Sequence, residues 1–272
     1  TGKAGTWLLD PIDLTIDAST ANLISQILSN SNVTIAVTNS TVACPIGSCT
    51  QSGSGSSSLT IASGADILKA GTNYTTLTLS SEGIFNLNAN ISGQNLDVII
   101  SSSIAYLNVG SSINASKVTI QAQTIYSAGT IQTSNYLSNN LNPANPGSLG
   151  NAIELLAQAI YVSGRLAANA SQGVAGDIKL TATTISLRPE AQLEVNGEEG
   201  GRITIAANDS LWSSALIQAN GGNGRGGTIA INAANDQFYT QASILANGTT
   251  DGGAITITTA SGDIRSEEHT SE

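Results

Sequence analysis

The sequence predicts an all-β fold, a right-handed parallel β-helix, on three observations. Hydrophobic residues make up 40% of the chain and charged residues only 10%. That leaves too few Lys, Glu and Arg to cover solvated helix faces, but enough apolar material for a core. Val, Ile and Thr recur in short runs punctuated by Gly, Asn and Ser, as strands and turns do. The second half also repeats, in lines that begin at Ile153, Ile178, Ile203, Ile229 and Ile255, spaced 25, 25, 26 and 26 residues apart.

Each line reads as a strand of the form I-x-I/L-x-A, a small bend, a second apolar strand and an Asn/Gly-rich turn. The period is too short for a propeller blade of about 40–45 residues. One repeat cannot bury its own apolar face, so it has to stack on its neighbours. Alternation points Ile203 and Ile205 inward and Thr204 outward. Strands stacked in the same sense are parallel, and such crossovers are right-handed. The first half carries the same strand less regularly, as VTIAV at Val33, LTIAS at Leu59, LTLSS at Leu77, LDVII at Leu96 and VTIQA at Val118. Ten strand starts predict a rod about 45–50 Å long at roughly 4.8 Å per coil.

In chain order, residues 1–38 form a lead-in to the coil. Its phrase GTWLLDPIDLTI holds Trp7, Leu8 and Leu9, too apolar to be solvated, and Pro11, which interrupts pairing after Asp10. These three side chains are expected to plug one side of the coil, with Asp10 satisfying turn amides; the sharper alternative is a ligand-binding Trp7. Ser19 and Thr20 stand before Leu23, Ile24, Ile27 and Leu28, which follow helical spacing, so a short helix with its N-cap is expected near residues 20–29. Residues 39–132 read as irregular coils with a Cys-bearing excursion at 40–56. Residues 133–150, rich in Asn, Pro and Gly, read as a loop, and 151–264 as the regular repeats. The terminal RSEEHTSE, Arg265 to Glu272, is the translation of a common sequencing-library adapter, so 265–272 is expected to be read-through; it holds the one histidine, His269.

The net charge of −10, without a basic cluster, excludes nucleic acid and anionic membrane surfaces as natural partners. No apolar run reaches the roughly 18–20 residues that span a bilayer. Enzymes built on β-helices need clustered acids or bases, and here the acids are scattered. Glu194, Glu198 and Glu199 lie in the turn VNGEEGGR and read as a solvated turn. Asp10, Asp13 and Asp17 recur near the start, but Pro11 and strand alternation separate them, which weighs against a calcium site. GGNGRGG, Gly221 to Gly227, lacks the Lys-Ser/Thr of a phosphate loop and reads as a turn that permits positive φ. No catalytic residue, metal site or cofactor is expected.

The phrase GKAGTWLLDPIDLTI, followed by a short helical stretch and NVTI, resembles the filamentous haemagglutinin family of two-partner secretion exoproteins, which includes the high-molecular-weight adhesins. The resemblance covers about the first 38 residues. It implies a non-catalytic shaft segment, downstream of the secretion domain, of a large Gram-negative surface adhesin. It also implies export through an outer-membrane transporter and adhesion to a host or cell-surface receptor or glycan. The family's secretion-domain motifs are absent, and NPANP at Asn142 to Pro146 lies inside a loop, so nothing is carried onto it. In an exported protein Cys44 and Cys49, which frame a Pro-Ile-Gly-Ser turn, are expected to form a disulfide. Sequons at Asn32, Asn39, Asn73, Asn90, Asn114, Asn169, Asn208 and Asn247 are candidate glycosylation acceptors. The rival readings are a β-helical carbohydrate-active enzyme or a carbohydrate-binding module that uses Tyr126, Tyr136, Tyr161, Trp212 or Tyr239, whose aromatic faces suit sugars.

Overall fold

The computed structural model describes residues 13–38, 57–133, 152–234, 238–259 and 264–266. Trp7, Leu8, Leu9, Asp10, Cys44, Cys49 and the Asn142–Pro146 stretch lie outside the described residues, so the plug and the disulfide belong to the sequence reading alone. What is described is mostly β, with two sheets of parallel strands, one of 15 and one of 8, and a single helix, Ala18–Leu28.

The alternation I-x-I does what its period dictates. In the strand Arg202–Ser213, Ile203 and Ile205 are fully buried while Thr204 between them is half-exposed. The repeats then stack in register. One inner column runs Val33, Leu77, Val98, Val118, Ile153, Ile178, Ile203, Ile229, Ile255. Two residues along each strand a second column runs Ile35, Leu79, Ile100, Ile120, Leu155, Leu180, Ile205, Ile231, Ile257. Down to Ile229 and Ile231 these side chains are buried, and removing each from water stabilises the stack by about 1.5–3 kcal/mol; in the last rung Ile255 is exposed and Ile257 part-buried.

Leu59 departs from the sequence reading. LTIAS does not belong to the same column as VTIAV. Leu59 pairs with Leu14 and Phe85, and so belongs to a separate row that continues through Ala105, Ile125, Ile160, Ile185 and Leu211. Leu96 likewise starts a strand, but Val98 is the residue level with Val118. An L-x-I triplet fits either row, and composition alone does not choose between them. The first column therefore has nine rungs rather than ten.

A third row per repeat escapes the sequence pattern. Short strands place Ile67, Ile91, Ile113, Ile131, Leu166, Leu193, Ile217 and Ile244 in register in the 8-stranded sheet. Half of them carry one central apolar residue between polar ones (Thr130–Thr133, Gln192–Glu194), too little for a periodicity to register. The bend of each repeat disappears in Leu96–Leu107, Lys117–Ser127, Asp177–Leu187 and Arg202–Ser213, which run through two rows without a break. Between Ala182 and Thr184 the pairing with Arg202–Ser213 shifts register, a bulge that takes up the longer 26-residue spacing.

The helix is capped by Asp17, one turn earlier than expected from Ser19 and Thr20. Asp17 Oδ1 accepts from the Thr20 backbone N–H and the Ser19 hydroxyl, both at 2.8 Å. The helix buries Ala21, Ile24 and Leu28 and leaves Leu23 exposed. Chiefly the Thr20 N–H, and then the Ser19 hydroxyl, hold the Asp17 carboxyl down to about 2 from its usual 3.8. A depressed acid stabilises the fold above its unfolded value and loses that contribution as pH falls through its folded one. The gap in melting temperature between wild type and Asp17→Ala is therefore expected to hold constant above about pH 4 and to close between about pH 4 and 2. A gap independent of pH would contradict the cap.

Thr133, assigned to the loop by sequence, instead ends the strand Thr130–Thr133 and is fully buried. At the other end the strand Ile264–Ser266 pairs Arg265 with Tyr239 and Ser266 with Thr240. The ladder thus runs two residues into the stretch read as adapter-derived, as backbone pairing, indifferent to side chains, allows. No helix among the described residues is long and apolar enough to cross a membrane.

Candidate functional site

The acids that a catalytic reading would need are spoken for one at a time. Asp13 accepts from the Ser58 N–H at 2.7 Å and the Ser58 hydroxyl at 2.8 Å, and Asp17 caps the helix, so the two do not converge on a cation. Glu194 pairs with Arg165 at 2.5 Å and accepts from Asn169 Nδ2. Glu198 accepts from the Gly173 N–H at 2.7 Å. Glu199 bridges backbone to backbone with Val174. The Glu194, Glu198 and Glu199 group is thus three separate ties between neighbouring repeats. Lys179 and Glu154 are register partners and pair at 3.0 Å. Among the described residues no group of three or more His, Cys, Asp or Glu is arranged to hold a metal ion.

One acid is perturbed. Burial pushes the Asp97 carboxyl up, against the hydrogen bond from Tyr74 and the charge of Lys117, its register neighbour. Tyr74 donates to Asp97 Oδ1 at 2.8 Å, and its own hydroxyl is pushed up, first by burial and then by that bond. Tyr74 and Lys117 are the groups that shift it, so Asp97 belongs to a small polar cluster on the strand Leu96–Leu107.

The turns carry a polar ladder of their own. The Asn196 backbone N–H donates to Asn169 Oδ1 at 2.7 Å. Asn220 N–H donates to Asn196 Oδ1, and Asn247 N–H to Asn220 Oδ1, each at 2.9 Å. Each carboxamide oxygen therefore satisfies the amide of the equivalent residue one repeat later, at a corner where no strand pairing does so. Asn196→Ala leaves the Asn220 N–H without its acceptor and is expected to cost about 1–3 kcal/mol. Asn196→Asp keeps the oxygen and is expected to cost less than half as much in the same urea melts. Equal losses would show that the oxygen is not what matters. Among the sequons the ladder uses the Asn169 carboxamide and the Asn247 backbone N–H, while the Asn208 and Asn247 side chains are exposed.

GGNGRGG is a turn, but not for the reason its glycines suggest. Left-handed glycines occur at Gly64, Gly71, Gly110 and Gly173, and none lies between 221 and 227. Gly227 is required by close approach: a Cβ there would run into the carbonyl oxygen of Gly201, the equivalent glycine one repeat earlier. Gly253 stands in the same relation to Gly227.

The outer face of the large sheet gathers the aromatics. Tyr106, Tyr126 and Tyr161 are register partners, and their rings stack with centroids 5.0 Å apart and planes within 6° and 9°. Ser186, Trp212 and Tyr239 occupy the next three positions of the same row. Four of the five aromatics picked out as sugar-binding candidates, Tyr126, Tyr161, Trp212 and Tyr239, thus share one register row. Tyr136 lies outside the described residues. Tyr106 was missed, although a tyrosine two residues beyond Ile104, as Tyr126 is beyond Thr124, marks the same position.

No family model matches the chain, nor does any curated protein or solved structure.

Proposed function

We propose that this chain is a non-catalytic segment of the shaft of a large secreted bacterial surface adhesin, folded as a right-handed parallel β-helix. The observation that supports this most directly is the register. Each repeat contributes its strands in the same order, and each strand pairs with its counterparts in neighbouring repeats. Three rows of parallel strands around one continuous apolar core are what a chain wound in successive coils requires, and right-handed crossovers are the rule for such connections. Side-chain ladders of Asn and Tyr serve stacking rather than turnover. The opening phrase, which resembles the filamentous haemagglutinin family, supplies the remainder of the reading. That remainder is export by two-partner secretion through an outer-membrane transporter, and adhesion to a cell surface or matrix through a receptor or glycan.

The test is to place the chain behind the secretion domain of a two-partner exoprotein in cells carrying the matching transporter. Surface display of a protease-resistant segment, with increased attachment of the cells to epithelial monolayers, is the expected result. A segment retained in the periplasm, or displayed without any gain in attachment, overturns the corresponding half of the proposal. Release of reducing ends from a panel of acidic and neutral polysaccharides would favour the enzyme instead.

A further inference from the structure

The aromatic row has a missing rung. Tyr106, Tyr126 and Tyr161 stack face to face, the next register position is Ser186, and the one after that is Trp212. Ile185 and Leu187 on either side of Ser186 are buried, so Ser186 itself points outward, as Tyr161 and Trp212 do. One face of Tyr161 lies against Tyr126, and its other face is turned toward the Ser186 position. Tyr161 and Trp212 are two strand spacings apart, about 9.6 Å. A ring inserted midway would lie about 4.8 Å from each, inside the 4.5–7 Å range in which ring centroids pack favourably. The gap is therefore one ring wide.

The rim says which kind of ring. Just past the end of the strand Asp177–Leu187, two residues and at most about 6.7 Å from Ser186, Arg188 is exposed; it follows the buried Leu187, and its N–H still pairs with Val162 O, which keeps it on the outward side. None of the three ion pairs among the described residues involves Arg188. Ser163 and Ser214 stand at the equivalent outward positions of the repeats before and after, since Arg188 N–H donates to Val162 O and Ser214 N–H to Leu187 O. Apolar walls with a rim of hydroxyls and a guanidinium complement a pyranose, which has C–H faces and a hydroxyl-bearing edge. A planar aromatic side chain would leave that rim unused. A carboxylate on the sugar would meet Arg188 in a two-bonded pair. The chain's net charge of −10 opposes an acidic glycan at long range. At physiological salt, however, charges beyond about 8 Å are screened, so the local guanidinium decides.

We propose that the gap at Ser186, between Tyr161 and Trp212, is a binding slot for a single pyranose residue of a glycan, with carboxylated pyranoses preferred. The slot deepens the adhesive reading given above by naming its ligand class. It rests on the sheet register, the ring stack and the Arg188 rim, none of which depends on export, so failure of secretion would leave it standing.

Trp212 reports on the slot once Trp7→Phe has silenced the other tryptophan. Titration with trigalacturonate is expected to change Trp212 fluorescence saturably, and with maltotriose to do so more weakly. Arg188→Gln is expected to weaken trigalacturonate binding by about tenfold, the loss of one charge-assisted contact, with little effect on maltotriose. Ser186→Tyr fills the missing rung and is expected to abolish binding of both sugars while leaving the melt unchanged or raised. Trp212→Ala, followed by calorimetry, removes one wall and is expected to abolish binding independently, should the tyrosine distort the sheet. Wild type that binds neither sugar overturns the proposal. Binding that survives both Ser186→Tyr and Trp212→Ala, a preference for maltotriose, or stronger binding of free indole than of either sugar does so as well.

Discussion

Ile205→Asp is expected to lower the stability of the protein by about 3–5 kcal/mol, the cost of an uncompensated charge in the core. Thr204→Asp, one residue earlier, is expected to cost less than about 1 kcal/mol. The two positions share a strand and a backbone environment and differ in the face they present. Ile205 is fully buried in a column between Leu180 and Ile231. An aspartate there has no partner, and the column offers no polar atom to solvate it. Thr204 is half-exposed and lies between Lys179 and Ala230, so an aspartate there gains a cation as its register neighbour. Urea melts of the two variants against wild type check the assignment. Equal losses would mean that the inner and outer faces have been exchanged.

The second large effect is expected at Gly227, where a single methyl group meets backbone rather than a side chain that can move. In Gly227→Ala the new Cβ collides with the Gly201 carbonyl oxygen and approaches the Gly200 carbonyl carbon. The same Gly201 oxygen accepts the Thr228 N–H at 2.9 Å, the bond that opens the next strand. Relieving the clash means separating two repeats where they are hydrogen-bonded, at an expected cost of about 3 kcal/mol. Gly252→Ala is the control, because nothing lies within 4 Å of its Cβ and its φ is not left-handed; it is expected to stay within about 0.5 kcal/mol of wild type. Thermal melts, together with hydrogen exchange across 228–233, distinguish the two. Indistinguishable variants would remove close approach as the reason for the glycine.

What the sequence made legible follows from how often a signal is repeated. The inner columns could be read because the same alternation returns at Ile153, Ile178, Ile203, Ile229 and Ile255, and those five residues are indeed level with one another. The third row was invisible because a strand such as Gln192–Glu194 has one apolar residue at its centre, and one residue has no period. The row to which Leu59 belongs was ambiguous because an L-x-I triplet is equally at home in either. The helix was legible from Ile24 and Leu28. Its cap was missed because Asp17 lies three residues before the amide that it accepts from, behind two other plausible caps.

The aromatic row is the instructive omission. The spacing from Val118 to Ile153 carries Tyr126 to Tyr161, and 25 residues more reach Ser186, so that much of the line is legible in the sequence; a further 25 gives Leu211, and only the register shift between Ala182 and Thr184 moves the position on to Trp212. Looking at aromatics as a scatter of single residues, rather than at one offset within the repeat, concealed it. The acids at Glu194, Glu198 and Glu199 carried the opposite lesson. Their proximity along the chain suggested a group, yet each reaches to a different partner in a neighbouring repeat.

The asparagine ladder has a direction. In every bond the acceptor belongs to the earlier repeat and the donor to the later one, from Asn169 through Asn196 and Asn220 to Asn247. Each repeat, once formed, holds out a carboxamide oxygen before its successor exists. The last ordered turn is therefore a template for the next, and the chain can set itself in the order in which it is made. A protein built this way has no need to be finished before it begins to fold.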